Sequence, residues 1–474
     1  MSELDTIILQ VTEPTIKLDE LSIYDIESEE NRAIASVKPS KFLGAFVPFI
    51  VINRYEIGID ELVSLEMNTS GFLPTIRLTI DDKLRLFMSR NFPRDGDVIS
   101  FLIRSNNEEI FKPIKIDFEI VSIQPSFVKG SSNKPVRFNI NGQMKIPGLL
   151  TEFNEAYREM SSLDTLLNIS QNLQLGFASN VEITNDIMTW INPYDTRIRF
   201  IKDIVSKSYA DENSFFISYI DAYYVLNFIN VNKLFSAEDS ILESEVYSIG
   251  MTDISMGVDE TQGSDVAPLL LTNHPQFAGS SKYLSSFQMF NNSGNIFLKN
   301  GYKRYAQFYD VNNEEYISEF VDPLTTEGLD DHIHLKGRYV KNGDVFEPEG
   351  IIDIHFKYKY LGKSDVSNVH ENYLFSSVLN YQNEQEIGKM GMIVNLDIAD
   401  LTLTKYQRIP IYVFDFDIVQ KQIPTEESNV DNGAMLNEYL SGYYIITNIS
   451  YYWDKPGPIK QRLKLIKREF IAPK

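Results

Sequence analysis

The chain has no cysteine, only two tryptophans and only five histidines in 474 residues. Without cysteine there is neither a disulfide framework nor thiolate chemistry, and redox usage does not identify a compartment. Basic residues are scarce as well: 44 Lys and Arg stand against 66 Asp and Glu, a net charge of −22. That balance argues against nucleic acid as a tightly held ligand, because phosphate binding needs a cationic face. It leaves room for a surface that DNA slides past without sticking. No apolar run approaches the roughly 18 residues of a membrane-spanning helix. The N-terminus, MSELDTIILQVTEPTIKLDE, carries early acids and no basic leader region, so no secretory signal is expected. Phosphate loops of the G-x-x-x-x-G-K type, G-x-S-x-G elbows and H-E-x-x-H pairs are all missing. No cofactor and no enzymatic activity are expected.

What is present is aromatic and β-forming. Phe (30) and Tyr (26) are abundant, and apolar residues make up 43% of the chain. Such a composition supports sizeable cores built from strands, and the length suggests two to four domains. Residues 1–45 form an acidic arm, with nine acids against Lys17 alone from Met1 to Glu30. It is read as a solvated tail, with an arm that orders on a neighbouring subunit as the alternative; Ile7–Val11 is apolar enough to add a strand to a partner. From 46 to 146 the period is near two, with Gly and Pro punctuation, which predicts a small antiparallel β-barrel. Residues 147–235 change period. Leu163, Leu166 and Leu167 share a helix face behind Ser161 or Ser162 as cap, with Gly176 near the end. A second helix runs from about Thr196 to Tyr209, and SFFISYIDAYYVLNFINV reads as a hairpin. This is an α+β insertion. Residues 236–345 are an irregular Gly/Asn/Ser-rich region. Residues 346–474 form a second β-barrel with a helix at about 372–388.

The two β regions echo one another. VISFLIR followed by DFEIVSIQPSFVKGSSNKPVRFNINGQMKIP matches RIPIYVFDF followed by GYYIITNISYYWDKPGPIKQRLKLIKREFIAP in order and spacing. FEIVSI and YYIITNI occupy equivalent places. The fold class expected is therefore mainly β with an α+β insertion, carrying two related small antiparallel β-barrels in one chain. Three such chains around a threefold axis present six similar units, which suits a joint between a trimer and a hexamer.

The succession of a β-domain, an insertion opening on SLDTLLNISQNLQLGF, the stretch DTRIRFIKDIVSKSYADENSFFISYIDAYYVLNF and a late β-domain ending SGYYIITNISYYWDKPGPIKQRLKLIKREF resembles the baseplate hub protein of contractile-tailed phages, and the base of the related VgrG-type spikes. The resemblance covers roughly 47–235 and 350–474. It implies a homotrimer in the virion tail baseplate, made in the host cytoplasm, between the tail tube or tube-initiator proteins and the central spike. The tape measure protein and DNA would pass through a central channel. A glycan hydrolase and a carbohydrate- or receptor-binding β protein are the alternatives from other classes.

Few side chains stand out as candidate sites. His332 and His334, two apart in Asp331-His332-Ile333-His334, would point the same way on a strand and are the metal candidates; surface histidines are the plainer reading. Lys460, Arg462 and Lys464 alternate with Gln461, Leu463 and Leu465 and read as one solvent face of a strand. They serve either as lysine protection of an edge or as a docking face for an acidic partner.

Overall fold

The computed structural model describes residues 10–16, 48–103, 114–127, 135–235, 271–272, 284–292, 304–310, 315–321, 352–355, 370–376, 390–416, 434–437 and 440–467, apart from positions 54, 84, 90, 91, 212, 213, 374, 375, 398, 400, 402 and 456–458. His332, His334 and most of the helix expected at 372–388 lie outside the described residues.

The protein is mainly β, as the alternating pattern predicts. Its first strands are β1 (Gln10–Thr12), β2 (Phe49–Ile52), β3 (Tyr55–Glu56), β4 (Leu62–Asn68), β5 (Thr75–Asp82), β6 (Val98–Ile103), β7 (Ile114–Ser126) and β8 (Val136–Met144), with a short helix α1 (Leu86–Ser89) after β5. Their hydrophobic pattern places every second residue in the core. On β5, Ile76, Leu78 and Ile80 are buried while Thr75 and Arg77 face solvent.

The insertion adds a ribbon of β9 (Glu152–Met160) and β11 (Met188–Thr196), the helices α2 (Ser162–Asn172) and α3 (Arg197–Lys207), and a sheet of β10 (Gly176–Ser179), β12 (Phe216–Ile220) and β13 (Val225–Asn230), closed by α4 (Val231–Phe235). Ser161 caps α2, its side chain accepting from the Asp164 amide. The helix ends at Leu173, three residues before Gly176. That glycine instead opens β10, where a side chain would collide with the Thr12 carbonyl 2.5 Å away. The acidic arm contributes β1, and β1 pairs with β10 of its own chain.

The remaining strands are β14 (Leu271–Thr272), β15 (Leu284–Asn291), β16 (Arg304–Asp310), β17 (Glu315–Val321), β18 (Ile352–His355), β19 (Met390–Leu396), β20 (Arg408–Tyr412), β21 (Phe414–Phe416), β22 (Ala434–Leu436), β23 (Gly442–Asp454) and β24 (Lys460–Ile466). β16–β18 form a small separate sheet and β21–β22 a short ribbon.

Both β regions share one thirteen-stranded sheet, in the order β15-β19-β24-β23-β4-β5-β8-β7-β6-β2-β3, with β20 on β23 and β14 on β20. Within it the same antiparallel five-strand path occurs twice. In the first unit β4 pairs β5, β5 pairs β8, β8 pairs β7 and β7 pairs β6. In the second, β15 pairs β19, β19 pairs β24, β24 pairs β23 and β23 pairs β20. Chain order is the same in both.

The register agrees as well. β7 has a bulge between Ile120 and Ser122, and β23 has one between Ile446 and Asn448, in the matching sequences Ile-Val-Ser-Ile and Ile-Thr-Asn-Ile. β4 has a bulge between Leu62 and Ser64, and β15 between Leu284 and Ser286. Because a one-residue slip would swap the faces of a strand, bulges at equivalent positions mark a common register. The second unit draws its first strand, β15, from within 236–345.

Candidate functional site

The two units meet at a seam where β23 pairs with β4, Trp453 opposite Leu65 and Tyr451 opposite Met67. All four side chains are buried, at 2%, 2%, 3% and 0% exposure. At the inner end of the seam Thr69 completes the ladder with its side chain. Its hydroxyl donates to the Ile449 carbonyl at 3.0 Å and accepts from the Ile449 amide at 3.1 Å. At the outer end Lys455 pairs with Asp60 at 2.8 Å, and this holds the exposed Asp60 carboxyl below its usual range.

Lys405 sits where the seam meets the insertion. Its Nζ donates to the carbonyls of Thr69 at 2.9 Å and Gly71 at 3.1 Å, both in the β4–β5 turn. The ammonium lies 4.4 Å from the centre of the Tyr219 ring on β12, and the Tyr219 hydroxyl donates to the Lys405 carbonyl at 2.9 Å. One residue therefore ties the second unit to the first and to the insertion. Burial lowers the Lys405 ammonium from its ordinary 10.5 to about 8, with Asp221 pulling weakly the other way. The same burial raises the Tyr219 phenol well above its usual range, with Asp221 and Tyr406 adding to the effect. Tyr223 is raised to about 12 by burial and Asp221.

These groups line a cavity of about 250 Å³, together with Asn227 and Arg408. Its chemistry is that of a fastener. The amine is engaged by two carbonyls, and the Asp221 carboxylate is held by the amides of Tyr223 at 2.8 Å and Val225 at 3.1 Å in its own turn. The insertion is attached to the first unit a second time, by the Ile220 amide donating to the Phe72 carbonyl at 2.8 Å and the Asp117 amide donating to the Tyr224 hydroxyl at 2.9 Å.

Lys460, Arg462 and Lys464 do share one exposed face of β24, between buried Gln461, Leu463 and Leu465. The edge-protection reading fails, because β24 lies between β19 and β23. Arg462 instead lies 5.0 Å from the Tyr452 ring and donates to Asn395 at 3.0 Å, and Lys464 lies 5.3 Å from the Phe290 ring. Among the described residues no group of three or more His, Cys, Asp or Glu side chains is placed to hold a metal, and no helix is long and apolar enough to cross a membrane.

Sequence reasoning passed over Lys405. It lies in Thr404-Lys405-Tyr406-Gln407, a polar turn without period, and only the fold brings it against Thr69 and Tyr219.

No protein-family model matches the chain, and no curated relative matches it. Solved structures do. The 43 kDa tail protein of prophage MuSo2 from Shewanella oneidensis is 8% identical with a TM-score of 0.47, over 90% of this chain and 99% of that one. A tail protein from Neisseria meningitidis is 8% identical with a TM-score of 0.46, over 90% and 97%. An Escherichia coli component of the type VI secretion system is 9% identical with a TM-score of 0.39, over 90% and 79%.

Proposed function

We propose that the chain is a structural hub of a phage or phage-like contractile tail baseplate. Three copies form a ring between a hexameric tail tube and a trimeric central spike, each five-strand unit closing toward a small barrel, with a channel left for DNA. The observation that carries this reading is the repeated five-strand path with its bulges in equivalent register. A symmetric trimer of chains that each hold two like units offers six like faces at one level and three at another, which is what a sixfold-to-threefold joint requires. Charge supports it too. Three copies at −22 give −66, and acidic side chains lining a channel repel phosphate and keep DNA from adhering in transit. The role is structural rather than catalytic. The partners are tube or tube-initiator proteins, the spike, the tape measure protein and transient DNA.

Mass measurement in solution together with projection images down the symmetry axis tests the reading. A trimer with a central hole and near-sixfold outline is expected. A monomer at all concentrations, or a monomer that degrades peptidoglycan, refutes it.

A further inference from the structure

Nine large apolar side chains are exposed among the described residues, and five of them belong to one ribbon and its approaches. Leu150 precedes β9, Ile183 and Ile187 precede β11, and Ile191 and Tyr194 lie on β11. The ribbon stands outside the thirteen-stranded sheet. Its inner face is filled: Trp190 is buried and donates to the Met160 carbonyl at 2.9 Å, and Tyr157 stacks on Phe200 of α3. On the outer face Ile191 stands opposite Ala156 and Pro193 opposite Asn154, all four exposed. A two-stranded ribbon covered on one side lacks a layer on the other.

The outer face is fixed in place. Thr184 accepts the Ser162 hydroxyl at 3.2 Å, and Asp186 accepts the Ser162 and Tyr209 amides at 2.9 Å each. Ile183 and Ile187, on either side of this clip, are 71% and 64% exposed. Tyr194 sits in the bulge between Pro193 and Asp195 with a φ of 63°, a left-handed conformation that glycine or asparagine adopts more easily. Its side chain is 69% exposed, so packing within the chain does not offset that strain. Glu152, Glu159 and Glu182 are exposed around the apolar stripe, and none is ion-paired among the described residues; Arg158 is the base beside them.

We propose that the outer face of the β9–β11 ribbon seats an amphipathic helix of another protein, one whose apolar stripe is flanked by lysine or arginine. Nine-residue strands span about 30 Å, which matches about 20 helical residues. The apolar side chains lie on the face of the ribbon, so a helix laid across it covers them, whereas a strand added at an edge leaves them in water. The unpaired carboxylates select the sign of the partner. They disfavour a second copy, whose ribbon would bring the same acids, and an anionic membrane surface. The seat takes no part in the two five-strand units and stands whether or not the hub reading does.

Binding of a fluorescent 20-residue Lys/Leu amphipathic peptide to the full chain at 0.15 M salt tests this. A scrambled peptide of the same composition controls for the net charge. The amphipathic peptide should bind at least tenfold more tightly than the scrambled one. Ile187→Ser with Ile191→Ser should abolish that preference, while Val121→Ser with Phe127→Ser, exposed elsewhere, should keep it. Glu152→Lys, Glu159→Lys and Glu182→Lys together should move the preference to a Glu/Leu peptide. Tyr194→Gly should weaken binding yet raise the urea midpoint, because the strain is relieved. Equal binding of the two peptides, or a preference untouched by the serine variants, overturns the proposal. So does a lowered midpoint for Tyr194→Gly, which would make the tyrosine a stabilising residue. Capture by vesicles of phosphatidylcholine and phosphatidylglycerol, or self-association, that Ile187→Ser with Ile191→Ser removes would replace the helix with a membrane or a second copy and likewise overturns it.

Discussion

Replacing Lys405 with methionine isolates the charge buried at the seam. In the folded protein the ammonium titrates near 8, against 10.5 when solvated. A difference of that size corresponds to about 3 kcal/mol of unfavourable differential interaction with the charged form. The sign follows from proton counting. Between about pH 8 and 10 the unfolded chain still holds the proton and the folded chain has released it, so the unfolded state binds more protons and stability rises with pH. Below pH 8 both states are charged and the penalty is constant. Above pH 10 the direction reverses: Tyr219 and Tyr223 have raised folded values, so the unfolded phenols ionise first and stability falls. Methionine keeps the volume of the stem, removes the titration and leaves the Thr69 and Gly71 carbonyls without their donor. The lost hydrogen bonds, each worth roughly 1–2 kcal/mol, offset the relieved charge at pH 7, where wild type and Lys405→Met should differ little. From pH 7.5 to 10 the wild type should gain about 2–3 kcal/mol on the variant. Urea midpoints measured every half pH unit read this directly. Parallel pH profiles for the two proteins refute the assignment of a buried charge to this lysine.

Other side chains yield equally definite outcomes. Trp453→Ala empties the centre of the seam and should cost about 3–5 kcal/mol, seen as a lowered urea midpoint; a loss under about 1 kcal/mol would mean that the two units are not packed there. Asp186 accepts the Ser162 amide and the Tyr209 amide, both at 2.9 Å, so Asp186→Ala leaves two buried donors bare. About 3 kcal/mol should be lost, with faster hydrogen exchange at both amides; protected amides there argue against the clip. A Cβ on Gly391 would collide with the Leu465 carbonyl, so Gly391→Ala should break the β19–β24 ladder and release exchange protection along β24. Reversing Lys460, Arg462 and Lys464 together to glutamate should weaken assembly at low salt and less so at high salt; assembly indifferent to the change dismisses them as a docking face.

The legible parts of the fold are those whose signal is local. β6, β7 and β8 and their partners β20, β23 and β24 were recognisable as an echo because alternation and a proline-containing turn recur at matched spacing. Ser161 as cap and the leucines of α2 follow from helix periodicity. Two failures share one cause, which is that strand neighbours are not sequence neighbours. Lys460–Lys464 read as an edge because β19, the second partner of β24, lies about seventy residues upstream. The kinship of β4 and β15 is written as Leu62-Val63-Ser64-Leu65-Glu66-Met67 and Leu284-Ser285-Ser286-Phe287-Gln288-Met289, yet it is hidden because β15 stands in a serine- and asparagine-rich stretch and is separated from β19 by β16–β18. The β9–β11 ribbon was missed for a third reason. Glu-Phe-Asn-Glu-Ala-Tyr-Arg-Glu-Met is rich in the helix formers Glu, Ala, Arg and Met, and pairing with β11 makes it a strand.

The differences between the two units are as informative as their likeness. Past its bulge, the side of β7 turned away from β8 meets no strand among the described residues, and its composition suits an open edge. Gln124, Pro125 and Ser126 stand where β23 has Ser450, Tyr451 and Tyr452. Proline and small polar residues blunt an exposed edge against indiscriminate pairing, whereas aromatic residues deepen a contact that forms once, on folding, and never reopens. The bulges are the same in both units, and each sets the local twist of its strand; in β23 that twist leads into the stretch that meets β4. The equivalent bulges at Ile120–Ser122 and Ile446–Asn448 therefore give β7 and β23 the same local bend even where their side chains differ.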